Sequence, residues 1–441
     1  MTTAIELARA VATGETTAAE LSEDALSSAR QPDSSSVMIT VTADRARRQA
    51  EASDRRARRG VRLGVLDGVP IVWKDLFDVQ GTVTTLGSAS HQYDEPAAVD
   101  SALVRRAHDG GLVTLGKTTL SEFAFSGLGV NPRFGTPANP LDPAVVPGGS
   151  SSGSAVAVAS GLVRLAVGTD TSGSVRVPAA LCGIVGFRSS PGRYGPHDFA
   201  PLSPTLDSVG LFATTVADIA ALDSVLRPAG SARPRPAPRP VFVVPAGEWT
   251  EDLAPSVAEA FAAAVARLRA AGAEIETRVL PSLGAAQDLM DTHGTIVGAE
   301  AYRLHGHRLT STLPIDEATR RRLTANAHTP DTIAPVYTAM SDLRVAFAAD
   351  LAGATLLCPT VRHPPPRLPD LHADPTHYDT ANAILLRTTM LLSYLSTCGL
   401  SLPTPRPHTA VLLSLPTAED PTLLATAEWT ERALDTAHPV P

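Results

Sequence analysis

Apolar and polar positions alternate along this chain with two periods. Short apolar or β-branched runs recur at VMITV (37–41), GVPIVW (68–73), LVTLG (112–116), LVRLAVG (162–168) and VFVV (241–244). Runs of this length bounded by turn residues predict buried strands, whereas the stretches between them carry helical spacing. Thr42 is placed to cap an Arg-rich helix running to Arg59, which Gly60 ends. Asp100 is placed to cap SALVRRAHDGG, and SAVAVASG (154–161) reads as a short buried helix. SVAEAFAAAVARLRAAG (256–272), flanked by VFVV and EIETRVL (274–280), completes a further β-α-β unit. Regular alternation of strand and helix predicts an α/β fold whose strands are covered by helices. No internal repeat is visible. Two stretches break the pattern. PAGSARPRPAPRP (228–240) reads as an extended, exposed connection across one fold, and RHPPPRLPDLHADP (362–375) as an irregular candidate lid.

Totals narrow the function classes. A chain of 441 residues that is 44% hydrophobic can bury a large core. A net charge of −8 and a pI near 5.8 argue against a nucleic-acid surface or an anionic-membrane surface. The basic cluster at 45–62 is interrupted by acids at helical spacing and reads as a solvated helix face. Cys182, Cys358 and Cys398 form neither a disulfide framework nor a metal spacing. The N-terminus lacks the basic-then-apolar run of a signal peptide, and no apolar run reaches about 18 residues. A cytoplasmic setting is therefore expected, and the abundance of Ala, Arg and Pro suits a GC-rich bacterial genome.

Candidate chemistry lies in two hydroxyl-rich loops, PGGSSSGSA (147–155) and TDTSGSV (169–175), separated by one short helix and one strand. Both can return to the same end of the sheet, where α/β folds place ligands. Glycine-hydroxyl runs expose backbone N–H groups able to cradle a phosphate or the oxyanion of an acyl intermediate. Phosphate-loop and dinucleotide fingerprints are absent, and so is the G-x-S-x-G elbow. On composition alone, two flexible turns remain an alternative. Of the twelve histidines only His197 falls near these loops, and HGH (305–307) reads as a surface pair rather than a metal site. Lys74, ending an apolar strand, is a candidate base, since burial lowers a lysine's pKa. Its alternative reading is an ion pair with adjacent Asp75.

Several ordered motifs then resemble the amidase signature family, from about residue 5 to about residue 226. They are GVPIVWKDLFDVQG, GKTTLSEFAFSG, NPLDPAVVPGGSSSGSAVAVASG, GTDTSGSVRVPAALCGIVGFRSSPGRYG and PLSPTLDSVGLFATTVADIAALDSVL. The resemblance implies a Ser–cis-Ser–Lys triad. Ser174 matches the nucleophile, Ser150 the bridging serine 24 residues upstream, and Lys74 the base. It implies a cis peptide between Gly149 and Ser150, and an oxyanion hole of the N–H groups of Thr171, Ser172, Gly173 and Ser174. Asp170, Arg176 and Ser151 match bracing positions, while Ala124 and Phe125 fall, with Ser150, where relatives contact substrate.

The implied fold is an α/β/α sandwich around a mixed, largely parallel sheet. It forms a single amidase domain (1–441), with a signature core at about 60–226 and a divergent C-terminal part at 356–441. The implied partner is a small organic amide, with no cofactor, metal, nucleic acid or membrane, and a homodimer is left open. Ser172 stands where many relatives have Gly, Ser393 where Asn is common, and TPRPHTAVLLSLP (404–416) replaces the family's usual turn. Three rivals remain: a glutaminase-type subunit of a tRNA-dependent amidotransferase, an acyl transferase with an amine acceptor, and a catalytically dead binding protein.

Overall fold

The computed structural model describes residues 2–31, 34–196, 198–228 and 240–434. His197 and most of the proline-rich connection (229–239) lie outside the described residues. Eleven strands form one sheet: β1 (Met38–Val41), β2 (Pro70–Lys74), β3 (Val113–Thr118), β4 (Leu165–Thr169), β5 (Val185–Arg188), β6 (Val209–Ala213), β7 (Val241–Pro245), β8 (Glu274–Arg278), β9 (Thr355–Pro359), β10 (Cys398–Pro403) and β11 (Ala410–Leu415). Their spatial order is β1-β3-β2-β4-β6-β5-β10-β11-β9-β7-β8.

Side-chain alternation sorts each central strand between two cores. Ile71, Trp73, Leu165, Val167 and Leu211 pack on one face, under helices that include Ala102–Asp109, Val216–Leu226 and Asp420–Leu434. Val72, Ala166 and Phe212 pack on the other, under Ala18–Ser28, Ala43–Arg58 and Ser152–Ala159. Because both faces are covered, β2 and β4 are buried at every position, which is why they read as continuous apolar runs. The α/β sandwich and the mixed sheet are thus as expected.

The parallel share is smaller than expected. Only β3/β2, β2/β4, β9/β7 and β7/β8 are parallel. The centre, from β4 through β6, β5, β10 and β11 to β9, is antiparallel throughout. A parallel neighbour needs a long crossover. Residues 404–409 instead join β10 directly to β11, and 189–208 return β5 to β6 with no helix among their described residues. The divergent segment 404–416 is therefore mainly this hairpin, paired in the middle of the sheet.

Other local expectations need correction. Thr42 occupies the N-cap position, but its hydroxyl donates to the Thr114 carbonyl (3.2 Å) rather than capping the helix. Ser101, not Asp100, caps the helix Ala102–Asp109; Asp100 instead receives Arg45 through both carboxylate oxygens at 2.7 Å. Arg47 and Arg56 likewise meet Glu23 and Asp67 (2.6 Å each), so the basic helix face is largely matched by neighbouring acids. The stretch 362–375 holds a short helix, Leu368–Ala373. It is strapped down by Val146 N–H to Pro366 O and Leu368 N–H to Ala144 O, each 3.0 Å. No helix among the described residues is long and apolar enough to cross a membrane.

Candidate active site

Lys74 ends β2 with its side chain wholly buried. Its Nζ donates to Ser150 Oγ at 2.7 Å and Thr169 Oγ1 at 2.8 Å, and lies 3.5 Å from Thr169 O. Burial pulls its pKa down to about 7, opposed only partly by the charges of Asp207 and Asp170. The ion pair with Asp75 does not form. Asp75 turns to Lys117, 2.5 Å away and equally buried, and accepts from Thr85 N–H at 2.9 Å. Successive strand residues point to opposite faces, so adjacent positions 74 and 75 are poor partners.

Ser150 follows a cis peptide from Gly149. Its loop is clamped by Gly149 N–H to Gly127 O (2.7 Å) and by Ser121 N–H to Ser150 O (3.1 Å). Glycine is required at 149, because a Cβ there would sit 2.5 Å from Gly129 N. Ser151 binds both halves of the site, its Oγ donating to Thr169 O (3.2 Å) and its N–H to Ser174 O (3.3 Å). Ser174 is 4% exposed, and among the described residues no hydrogen bond joins its hydroxyl to Ser150 or to any other group. Of the two contacts expected of a lysine–serine–serine relay, Lys74–Ser150 is thus formed and Ser150–Ser174 is open.

Asp170 shapes the loop between β4 and the helix Arg176–Cys182. It accepts from the N–H groups of Gly173 (2.8 Å), Val175 (3.1 Å) and Arg176 (3.3 Å), and from the Arg176 guanidinium at 2.8 and 3.0 Å. Burial alone would raise its pKa, but Arg176 and Arg188 together hold the carboxyl well below the usual range. Arg188, also buried, reaches Asp170 Oδ1 at 3.2 Å and the Asp170 carbonyl, and burial pulls its own pKa down to about 10. The Gly173 N–H is therefore engaged by Asp170, which removes it from the four expected oxyanion donors. Those of Thr171, Ser172 and Ser174 have no acceptor among the described residues.

Helix Pro375–Tyr394 closes the site from the C-terminal half. Thr389 Oγ1 donates to Ser172 O at 2.6 Å. Ser393 accepts from Arg176 Nη2 at 2.7 Å and passes its own proton to Thr389 O at 3.0 Å. Gly173 has φ +128°, and a Cβ there would collide with the Thr389 hydroxyl. Gly173→Ala is accordingly expected to cost about 2–4 kcal/mol of stability, checked by denaturant unfolding. A wild-type midpoint would show that this helix yields.

Ala124 and Phe125 lie buried in a tight loop where Phe123 and Ala124 both take positive φ (52° and 58°). This loop packs into the C-terminal core beside Leu391 and Leu392. His305 is not a surface residue. It is buried and stacked on Phe123 at 4.3 Å, with burial pushing its pKa down to about 3, whereas His307 is exposed. All three cysteines are buried, and burial pushes the Cys358 thiol up to about 12 and raises those of Cys182 and Cys398 well above the ordinary thiol value.

The sequence reading did not single out Thr169, Arg188, Asp207, Thr389 or Ser393 as members of this cluster. Asp207 accepts from Thr171 Oγ1 at 2.5 Å and from Leu202 N–H at 2.9 Å, fixing the loop that carries the free N–H groups. A strand-end arginine in GFR was the one local signal, at Arg188.

A mixed α/β sheet whose hydroxyl-rich loops meet a buried, depressed-pKa lysine describes a class of enzymes acting on carbon–nitrogen bonds. A family model for amidases matches residues 20–406. The chain is 36% identical over 375 residues to a 2-amino-5-chloromuconic acid deaminase of Comamonas testosteroni, covering 81% of this chain and 79% of that one. It is 43% identical over 223 residues to one subunit of the glutamyl-tRNA(Gln) amidotransferase of Halorhodospira halophila, a match limited to 50% of this chain and 45% of that protein. A crystal structure of an amidase superposes with a TM-score of 0.86 at 31% identity, over 98% of this chain and all of the other. The chain belongs to the amidase signature family.

Proposed function

We propose that the protein is a serine amidohydrolase that cleaves a small organic amide through an acyl-enzyme, as a single cytoplasmic amidase domain. The observation that carries this reading is the Lys74–Ser150 hydrogen bond beneath three unengaged N–H groups. With a pKa near 7, Lys74 is substantially a neutral amine at neutral pH and can accept a proton. Ser150 passes its proton to Lys74 as it receives that of Ser174, and Ser174 Oγ adds to the amide carbon. The oxygen becomes an oxyanion facing the N–H groups of Thr171, Ser172 and Ser174, a placement that favours the transition state over the ground state. The relay then runs backward: Lys74 returns its proton through Ser150 to the leaving nitrogen, and the C–N bond breaks. Water loses a proton to the same relay, attacks the ester of Ser174, and releases the acid and a free hydroxyl.

The test is a screen of amides by ammonia release alongside labelling with a fluorophosphonate. Turnover and labelling that both require Ser174 support the reading; a folded protein that is never labelled is a binding protein instead. A second reading, the glutaminase-type subunit of an amidotransferase, draws on the 43% identity over half of each chain. Co-purification with a second protein, together with ammonia delivery to an acyl acceptor, would favour it, and acyl transfer to an added amine would mark a transferase.

The proposed relay needs no cation, and among the described residues no three His, Cys, Asp or Glu side chains converge. Prolonged chelation is therefore expected to leave the rate unchanged. A loss that zinc restores would overturn the lysine–serine mechanism.

A further inference from the structure

Glu300 brings a carboxylate into the C-terminal core, on the helix Ile296–His305, and is 9% exposed. Its Oε2 accepts from Ser203 Oγ and from Thr205 N–H, the latter at 3.1 Å. Its Oε1 accepts from Thr205 Oγ1 at 2.5 Å and from Tyr337 OH at 2.7 Å. Three of these four donors belong to one turn between β5 and β6, and the fourth to the helix Ala334–Leu351. Burial and the Glu300 carboxylate push the Tyr337 phenol up to about 12, so it remains a donor near neutral pH.

A buried carboxylate is costly unless hydrogen bonds satisfy its charged form, and an apolar side chain would pack the same space at less cost. The charge supplies geometry instead, because four donors must converge on its two oxygens at once. The turn it grips leads straight to the reacting groups. Ser203 O takes the N–H groups of Leu206 (2.9 Å) and Asp207 (2.8 Å), while Asp207 Oδ2 takes those of Leu202 (2.9 Å) and Ser203 (3.1 Å). Asp207 Oδ1 then holds Thr171 Oγ1 at 2.5 Å, and the backbones of Asp170 and Ser208 exchange hydrogen bonds of 2.8 and 3.2 Å. Thr171 carries the first of the three unengaged N–H groups. Burial lowers the Lys74 pKa, and of the two charges that oppose it, Asp207 is the larger. One turn therefore bears on both the oxyanion donors and the base.

We propose that Glu300 is a positioning residue of the active site: by gripping Ser203 and Thr205 it sets the turn from which Asp207 aims the Thr171 N–H and faces Lys74. This rests on the amidohydrolase reading above, and it adds a residue that lies outside every glycine-hydroxyl and strand-end motif of the sequence. Glu300 acts through the turn and takes no part in proton transfer. A purely structural tie would share the stability cost of losing Glu300, but it would change neither the rate of acylation nor its pH dependence.

The test follows the rate of fluorophosphonate labelling at Ser174 between about pH 5 and pH 10. Labelling needs no known substrate, and the phosphonyl oxygen uses the same N–H donors as an amide oxyanion. Glu300→Ala is expected to slow labelling on its high-pH plateau by about 100-fold, through the limiting rate and not through probe affinity. The midpoint of its pH profile should fall below that of the wild type, because Asp207 no longer faces Lys74 from its native position. Glu300→Gln keeps one carbonyl acceptor at the same reach, and should label about tenfold faster than Glu300→Ala. Asp207→Asn should lower the midpoint by itself, and adding Glu300→Ala to it should bring no further fall. Should Glu300→Ala not fold, Ser203→Ala combined with Thr205→Val loosens the same turn from its own end, with the same two expectations. A folded variant that labels at the wild-type rate, a slow one with an unmoved midpoint, or a further fall in the double variant would overturn the positioning role. Failure of the amidohydrolase reading looks different: labelling of the wild type is then absent, or survives Ser174→Ala.

Discussion

Ser174→Ala is expected to lower amide turnover by about 10,000-fold or more and to abolish fluorophosphonate labelling, while leaving the fold intact. About this magnitude is lost when the nucleophile of a serine hydrolase is removed, because the remaining donors still bind the substrate but nothing forms the acyl-enzyme. The fold should survive, since Ser174 Oγ makes no hydrogen bond among the described residues and its backbone contacts do not involve the hydroxyl. Mass spectrometry of the labelled wild type should place the adduct on Ser174. Labelling that persists in the variant on Ser150 or Cys182 would reassign the nucleophile. Cys182 is a poor rival on physical grounds: its thiol is buried, donates to Pro147 O at 3.3 Å, and is held neutral by burial.

The sequence made this cluster legible where it is local. Lys74, Ser150, Ser151, Asp170, Ser174 and Arg176 all sit in contiguous glycine-hydroxyl or strand-end motifs, and the structure brings them together within hydrogen-bond networks. What stayed hidden comes from residues that meet those motifs only in three dimensions. Thr389 and Ser393 lie inside a helix with no distinguishing period, 217 residues from the loop atoms they bind. Asp207 and Arg188 are single charges near strand ends, and only folding shows that both turn toward Asp170 and Thr171. Engagement of the Gly173 N–H was equally invisible, because it depends on the Asp170 side chain curling back over its own loop. Strand direction failed for a different reason. Alternation of helix and strand patterns reports what covers a strand, not which way its neighbour runs, so the antiparallel centre from β4 to β9 left no mark on periodicity.

Lys74 is where the physics makes the sharpest demand. If it works as a neutral amine, kcat/KM should rise with pH through an apparent pKa near 7, far below the roughly 10.4 of a free lysine. That value belongs to the coupled Lys74–Ser150–Ser174 unit rather than to one residue. Stability should follow the same shift. Between about pH 7 and 10.5 the unfolded chain holds a proton on Lys74 that the folded chain has lost, so this residue's contribution to stability rises with pH across that window. Lys74→Met carries no buried charge, and should lose this slope and resist unfolding better than the wild type at about pH 6. Activity must move the other way. Lys74→Ala is expected to lose about 1,000-fold on amides and far less on activated esters, because an amine leaving group needs a proton and a good ester leaving group does not. Lys74→Arg should be no better than Lys74→Ala on amides, since a guanidinium stays charged and cannot accept the Ser150 proton. Near-normal amidase rates in Lys74→Arg would overturn the lysine base. The hydrogen bond to Ser150 would then be a positioning contact, and the base would have to be sought in another group of the site.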